Sequence, residues 1–276
     1  MKVKACAKLN LTLDICGKRD DGYHIIDSVF QSVGLFDTVS VEKSSDIAVA
    51  CDAVCGDNIA HTAAKEFFEV AGIAGGAYIK IEKNIPVCAG LGGGSADAAA
   101  VITALDVLYN TALTKNEMLK IALKCGADVP YFLFGGTARV QGVGEKVTPL
   151  KFIGKYCALI VKSGEKESTA DMYKKLDLMP AEEPVTGRFV SLLSENRARE
   201  ALALAGNAFL GVQRDTEILR ALLREKPIAA SLSGSGPSYY AVFENKAAAR
   251  AAAKTLIGKG VYAAVTEFTD SGLYSE

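Results

Sequence analysis

A glycine-rich segment directly before an alanine-rich run constrains this chain more than any other feature. Residues 86–97 read PVCAGLGGGSAD, with four glycines in five positions. Glycine adopts positive φ angles and lets a ligand approach the backbone closely. Because Ser95 is a favourable N-cap, we expect a helix over residues 96–108 whose free N–H groups and positive dipole end face this glycine loop. The pattern predicts a phosphate-binding site.

The composition is that of a globular protein and excludes several functions. The 276 residues are 50% hydrophobic and carry a net charge of −1, without the basic block expected of a protein that binds nucleic acid or an anionic membrane. Polar residues interrupt every apolar run, and the N-terminus lacks the apolar core of a signal peptide, so we expect a cytoplasmic location. Seven scattered cysteines and two histidines favour reduced thiols over disulfides or zinc.

Apolar periodicity predicts strands and helices in two parts of the chain. In the first part it predicts extended segments over 3–16, 25–42 and 78–82, helices over 58–71, 96–108 and 115–125, and a hairpin of 137–140 with 146–150. In the second part it predicts strands over 156–161, 228–232, 239–243 and 261–265, and helices over 168–176, 190–205, 213–224 and 247–256. Since strands and helices do not alternate strictly, we expect an α+β protein with domains 1–152 and 153–276.

Three common phosphate-binding motifs are absent or incomplete. No Gly-Lys pair is followed by the Ser or Thr of a Walker A motif. The His-Arg-Asp and Asp-Phe-Gly signatures of protein kinases are missing. The segment Gly90-x-Gly92-x-x-Ser95 lacks the third glycine of a dinucleotide fingerprint. Taken alone, the glycine loop could also be a structural turn.

Three further segments indicate which class of phosphate site this is. They are AKLNL at 7–11, GADVP at 126–130 and SGSGPS at 233–238. Together with the glycine loop, they resemble the motifs of the galactokinase, homoserine kinase, mevalonate kinase and phosphomevalonate kinase (GHMP) superfamily. The segments GKRDDGYH at 17–24 and GVGE at 142–145 are most similar to its branch that acts on cytidine diphosphate methylerythritol in the non-mevalonate isoprenoid pathway. The resemblance spans most of the chain and is weakest over 180–225.

The resemblance implies a fold and a reaction. The expected fold is a two-domain GHMP kinase fold, with an N-terminal domain resembling a ribosomal-protein fold, a ferredoxin-like C-terminal domain, and the active site in the cleft between them. The expected reaction uses ATP and Mg²⁺ to phosphorylate the 2-hydroxyl of this small-molecule substrate. The protein would act as a monomer or homodimer.

Lys8 and Asp128 are the catalytic residues that the resemblance implies. Phosphoryl transfer to an alcohol needs a group that accepts the hydroxyl proton, and kinases commonly use an aspartate. An ammonium nearby stabilises charge on the attacking oxygen and on the transferred group. The alternatives are that Lys8 only extends from a strand edge and that Asp128 only caps a turn.

The glycine loop should bind the triphosphate of ATP through its backbone. The residues that we expect to contact ATP are Pro86, Ala89, Gly90, Leu91, Gly92, Gly93, Gly94, Ser95 and Ala96. Ser95 could also reach Mg²⁺, which bridges phosphates in such reactions. Asp97 is another candidate ligand, but an aspartate in the first helical turn also simply favours the helix dipole. The metal ligands therefore stay open.

Substrate recognition is expected at three places. Tyr23 could stack on the cytosine and His24 could bind its edge, while the resemblance places Tyr173 against the other face. Asn10 shares a strand face with Lys8 by period two, so we expect it to contact the methylerythritol. The second loop should contact phosphates or the acceptor through Ser233, Gly234, Ser235 and Gly236. The alternatives are a surface pair for Tyr23 and His24, a core tyrosine, and a plain turn.

Two other functions stay open on the sequence alone. A homoserine or mevalonate kinase of the same superfamily would share the glycine loop, but its substrate has no base for Tyr23 and His24 to bind. A non-catalytic sensor would keep the ligand cleft without needing Lys8 and Asp128. Turnover with each candidate alcohol separates these possibilities.

Overall fold

Two long antiparallel strands organise the first part of the chain. The computed structural model describes residues 1–53, 58–151, 153–180, 182–213, 217–256 and 261–276. Up to residue 149 the elements are β1 (Lys2–Lys18), β2 (His24–Ser44), β3 (Ala48–Cys51), α1 (Ile59–Ala71), β4 (Gly76–Glu82), α2 (Gly93–Tyr109), α3 (Lys115–Cys125), α4 (Val129–Phe132), β5 (Thr137–Gly142) and β6 (Lys146–Pro149). The extended segments and helices expected here from periodicity are confirmed.

The remaining elements form the second part of the chain. They are β7 (Cys157–Lys162), α5 (Thr169–Leu176), α6 (Thr186–Ser194), α7 (Ala198–Leu202), β8 (Gly206–Asn207), a 3₁₀ helix (Ala208–Val212), α8 (Glu217–Arg224), β9 (Ala229–Leu232), β10 (Ser238–Phe243), α9 (Lys246–Leu256), β11 (Tyr262–Glu267) and β12 (Leu273–Ser275). No helix in the described ranges is long and apolar enough to cross a membrane.

The larger sheet has the order β12-β1-β2-β4-β3, with β5 and β8 pairing beside β2 and β1 and β6 pairing with β5. Helices α1, α2 and α3 pack over it, and their apolar residues share one core with β1, β2 and β4. Residues of α2 from Ala96 to Leu105 are buried apart from Thr103, because alanine side chains let the helix approach its neighbours closely. The buried helix thereby fixes the position of the glycine loop before it.

The smaller sheet is antiparallel with the order β11-β7-β10-β9. This order, with the first strand between the last and the third, is that of the split βαβ arrangement. The ferredoxin-like expectation for the second part is therefore confirmed.

The two parts of the chain are joined through β1. Strand β12 pairs antiparallel with its start, and β8 pairs parallel with its middle. Leu9 and Leu11 share a core with Ile160 and Tyr240 of the smaller sheet. The domain boundary expected at 152/153 falls on Phe152, which lies outside the described residues, and stays a prediction.

Two helix boundaries differ from the expectation. The N-cap of α2 is Gly92 at φ 74°, so the expectation that Ser95 caps this helix is wrong, and Ser95 lies inside the first turn. Glycine takes this left-handed conformation without a steric penalty, which lets the helix begin earlier. The single helix expected over 190–205 is also wrong, because Asn196 at φ 61° separates α6 from α7. Of the helix expected over 213–224, residues 214–216 lie outside the described part.

Candidate active site

A cavity of about 1020 Å³ lies between the two parts of the molecule and brings together most of the predicted site residues. The predicted residues that line it are Lys8, Asn10, Tyr23, His24, Pro86, Ala89, Gly90, Leu91, Gly92, Gly93, Gly94, Ser95, Asp128, Tyr173, Gly234 and Ser235. Ala96, Ser233 and Gly236 are not among its lining residues. The sequence segments that carry the resemblance therefore meet around one space.

The glycine loop needs glycine at two positions for steric reasons. Gly90 has φ 75°, and a Cβ there would overlap the carbonyl oxygen of Ser233. Gly92 has φ 74°, and a Cβ there would lie 2.7 Å from the ring of Phe132 and 3.0 Å from Cγ of Lys8. Because α2 begins immediately after Gly92, its unpaired N–H groups and positive dipole end lie at the cavity wall. This geometry suits an anion such as a phosphate.

The loop between β9 and β10 braces the glycine loop. Ser233 Oγ donates a 2.9 Å hydrogen bond to the carbonyl oxygen of Gly90. The backbone N–H of Gly234 donates a 2.7 Å hydrogen bond to Asn10 Oδ1. Ser233 therefore stabilises the shape of the site from outside the cavity, while Gly234 and Ser235 form part of its wall.

Lys8 lies at the centre of this arrangement. Its side chain is only 3% exposed, and its Nζ donates a 2.6 Å hydrogen bond to Asn10 Oδ1. The Nζ lies 3.6 Å from Asp128 Oδ2 and 4.4 Å from the centroid of the Phe30 ring, within reach of a cation–π interaction. The expectation that Lys8 and Asn10 share one strand face is confirmed by their hydrogen bond.

Burial leaves the charge of Lys8 only partly compensated. Loss of hydration is the largest influence and lowers the pKa of Lys8 from its ordinary value of 10.5. Asp128 raises it, but the nearby positive charge of Lys166 lowers it further, and the net result is a lowered pKa. An incoming phosphate would supply the negative charge needed to balance this ammonium.

Asp128 presents its carboxylate to the cavity. It is the N-cap residue of α4, but its side chain makes no capping hydrogen bond. The side chain is 35% exposed and lines the cavity beside Lys8. The carboxylate is therefore not occupied by capping and can accept a hydrogen bond from a ligand hydroxyl.

A second buried lysine, Lys83, forms a charge cluster that the sequence did not reveal. Its Nζ donates to Asp37 Oδ2 and, over 2.7 Å, to Asp97 Oδ2. Asp37 Oδ1 also accepts from the backbone N–H groups of Asn84 and Ile85. Asp97 Oδ1 is buried and has no hydrogen-bond partner among the described residues. The cluster ties β2 to α2 across the residues just before the glycine loop.

The predicted base-binding residues lie at one end of the cavity. The rings of His24 and Tyr173 are stacked, with centroids 4.2 Å apart and planes inclined by 12°. His24 Nε2 lies 2.6 Å from Asp177 Oδ1, and Lys18 Nζ donates a 2.7 Å hydrogen bond to Asp177 Oδ2. Tyr23 is 65% exposed beside them. His24, rather than a ligand, covers one face of Tyr173 here, so the binding roles of these residues stay predictions.

The lysines of the cavity wall differ in their partners. Lys8, Lys18, Lys83 and Lys174 each have a carboxylate within ion-pair distance. Lys166 also lines the cavity, and no carboxylate of the described residues pairs with it. Sequence analysis did not single out Lys166, because a lysine between two glutamates is typical of a solvated loop.

The comparison with known proteins agrees with this geometry. Two family models match the chain. The model of the GHMP kinases N terminal domain matches residues 58–136, and the model of the GHMP kinases C terminal domain matches residues 189–261. A 4-diphosphocytidyl-2-C-methyl-D-erythritol kinase from Clostridium botulinum (strain Alaska E43 / Type E3) is 40% identical over 259 residues, 89% of this chain and 91% of that protein. One from Caldicellulosiruptor saccharolyticus (strain ATCC 43494 / DSM 8903 / Tp8T 6331) is 38% identical over 271 residues, 93% and 92% of the two chains.

The chain belongs to the 4-diphosphocytidyl-2-C-methyl-D-erythritol kinase family of GHMP kinases. A crystal structure of a 4-(cytidine 5'-diphospho)-2C-methyl-D-erythritol kinase superposes with a TM-score of 0.80 at 31% identity, over 98% of this chain and all of that one. A homoserine kinase from Cytophaga hutchinsonii ATCC 33406 superposes with a TM-score of 0.73 at 19% identity, over 99% and 96% of the two chains, which shows a shared fold alone. The two-domain GHMP kinase fold expected from the sequence is confirmed, and the phosphoryl donor of a GHMP kinase is ATP.

Proposed function

We propose that this chain transfers the γ-phosphoryl group of ATP to the 2-hydroxyl of 4-diphosphocytidyl-2-C-methyl-D-erythritol. The observation that carries the proposal is that the Lys8–Asp128 pair opens onto the same cavity as the glycine loop and the His24–Tyr173 pair. A phosphate cradle, a proton acceptor and an aromatic base site are the parts that this reaction needs. Its relatives in the family carry the name of this activity.

Asp128 would accept the proton of the 2-hydroxyl as that oxygen attacks the γ-phosphorus. The new P–O bond forms while the bond from the γ-phosphorus to the β-bridging oxygen breaks, so ADP leaves with the negative charge. Lys8, whose charge is only partly compensated by Asp128, would stabilise the attacking oxygen and the equatorial oxygens of the transferred group. Asn10 fixes the Lys8 ammonium by accepting its hydrogen bond.

The residues at the start of α2 fit a Mg²⁺ ion. Mg²⁺ is usually held by one or two protein oxygens together with substrate phosphates and water. Asp97 offers a buried carboxylate oxygen without a partner among the described residues, and the Ser95 hydroxyl lines the same wall. No group of three or more metal-binding side chains occurs in the described part of the chain. We therefore propose Ser95 and Asp97 as the protein ligands of an ion that would neutralise charge between the phosphates.

Phosphorus NMR of the reaction mixture tests the proposed substrate. With ATP, Mg²⁺ and the cytidine compound, we expect a new phosphomonoester signal on the methylerythritol and the appearance of ADP. Homoserine and mevalonate, which have no base, should give neither signal. Turnover of homoserine or mevalonate without turnover of the cytidine compound would contradict the proposed substrate. Binding of ATP and the cytidine compound without any product would contradict the proposal that this chain is an enzyme.

Replacing Asp128 with asparagine tests the proton acceptor. The amide keeps the shape of the side chain but cannot take the hydroxyl proton, so kcat should fall by about 10²–10⁴-fold. Steady-state kinetics with the cytidine compound measure this change. Asp46→Asn, at an exposed aspartate away from the cavity, is the matched control. Retention of wild-type kcat in Asp128→Asn would remove Asp128 from the proton transfer.

A further inference from the structure

The contact between His24 and Asp177 fixes one histidine ring from two sides. Asp177 follows the last residue of α5 and accepts from Lys18 through its other oxygen. The His24 ring is held edge-on by Asp177 at 2.6 Å and face-on by Tyr173 at a centroid distance of 4.2 Å. The histidine ring therefore has little freedom to rotate, and these neighbours determine which of its two ring nitrogens carries the proton.

Asp177 selects the tautomer of His24. The hydrogen bonds from Lys18 and from His24 lower the pKa of Asp177, so the carboxylate is ionised and can only accept. The Nε2 atom that faces it must carry the proton. In a neutral imidazole the other nitrogen, Nδ1, then keeps its lone pair and acts as an acceptor. No described residue donates to Nδ1, and His24 lines the cavity.

We propose that Asp177 is a positioning residue that sets base specificity: by holding His24 in the Nε2–H tautomer, it leaves Nδ1 to accept a hydrogen bond from the exocyclic amino group of cytosine. Uracil carries a carbonyl oxygen at that position, so two acceptors would face each other. Leaving a polar group without a partner disfavours the wrong base. The inference rests on the proposed function, because it assumes that a cytidine nucleotide occupies this end of the cavity.

Nitrogen NMR tests the tautomer without any ligand. The chain contains only His24 and His61, so His61→Gln assigns the His24 signals. At a pH where the imidazole is neutral, we expect the Nε2–H pattern in the wild type and a substantial Nδ1–H population in Asp177→Asn, because an amide can also donate. Asp171→Asn, on the same helix but paired with Lys174, should keep the wild-type pattern. A wild-type Nδ1–H tautomer, or an unchanged tautomer in Asp177→Asn, would overturn the inference.

Binding of cytidine diphosphate and uridine diphosphate tests the specificity. By titration calorimetry we expect the wild type to bind cytidine diphosphate more tightly than uridine diphosphate. The ratio of the two dissociation constants should be about 10-fold smaller in Asp177→Asn and unchanged in Asp171→Asn. Equal weakening of both nucleotides would mean that Asp177 only supports the fold, and would overturn the inference. If the wild type prefers cytidine diphosphate but never phosphorylates the cytidine compound, the proposed function fails while the positioning role of Asp177 stands.

Discussion

Lys8 and Lys83 lie beside successive glycines of the same loop, but their charges are balanced in different ways. The aliphatic stem of Lys8 approaches Gly92, whereas the ammonium of Lys83 approaches Gly93. Both side chains are buried. Lys83 contacts two carboxylates directly, while among the described residues Lys8 is paired only with Asp128, whose carboxylate oxygen is 3.6 Å away and whose side chain is about one-third exposed.

The balance of charge separates a structural lysine from one that can act on a ligand. Burial is the largest influence on Lys83 and opposes its charge, but Asp97 and Asp37 together outweigh it, so the pKa of Lys83 is raised. For Lys8 the same burial is not outweighed, and its pKa is lowered. Lys83 therefore stabilises the wall of the cavity, whereas the ammonium of Lys8 is only partly compensated by the protein and would be stabilised further by an incoming phosphate.

The largest expected effect on stability is that of Lys83→Met. This change leaves two buried carboxylates without their cation, which should lower the free energy of unfolding by about 3–5 kcal/mol. Chemical denaturation measures the loss. Lys80→Met, at an exposed lysine on neighbouring β4, is the matched control and should change stability little. A wild-type free energy of unfolding in Lys83→Met would contradict the structural role of the cluster.

Lys8→Met should lower turnover strongly and stability only slightly. Removing a preorganised cation from the transition state should lower kcat by about 10²–10³-fold. Because burial already disfavours the charged form of Lys8, the free energy of unfolding should fall by no more than about 1 kcal/mol. Turnover of the cytidine compound and denaturation of the same preparation measure both quantities. Lys4→Met, at the far end of β1, is the control for kcat. Equal losses of stability in Lys8→Met and Lys83→Met would erase the distinction between the two lysines.

A smaller effect is expected when the glycine beside Lys8 is replaced. Gly92→Ala would force a residue with a Cβ into a left-handed conformation and place that Cβ 2.7 Å from the Phe132 ring, so the free energy of unfolding should fall by about 1–2 kcal/mol. Thermal unfolding measures the change. Gly94→Ala is the matched control, because its Cβ would lie 3.5 Å from Cγ2 of Ile59, at an ordinary van der Waals distance. A lower melting temperature in Gly94→Ala than in Gly92→Ala would contradict the steric account.

The sequence predicted those parts of the site that local patterns encode. Glycine spacing located the loop, and the two-residue period of a strand placed Asn10 on the same face as Lys8. The start of α2 was predicted three residues too late. Serine is a favoured N-cap residue, which pointed to Ser95, whereas the observed cap depends on the left-handed conformation of Gly92.

The contacts that local patterns could not predict join distant parts of the chain. Asp37 precedes Lys83 by 46 residues, and His24 precedes Asp177 by 153. Such pairings depend on which strands become neighbours and on how the two parts of the molecule pack, and neither is written in the spacing of a single segment. Asp177 in particular lies at the exposed C-terminal end of a helix, where a carboxylate is ordinarily solvated.

Direct titration of the two lysines tests the contrast between them. Carbon NMR of protein labelled at the lysine Cε follows each ammonium, and Lys8→Arg and Lys83→Arg assign the signals. The ligand-free protein should show Lys8 titrating below the ordinary lysine value of 10.5 and Lys83 titrating above it. If Lys8 titrated at or above that value, its charge would be fully compensated in the free protein, and the account of Lys8 as the cation that stabilises the transferred phosphoryl group would be contradicted.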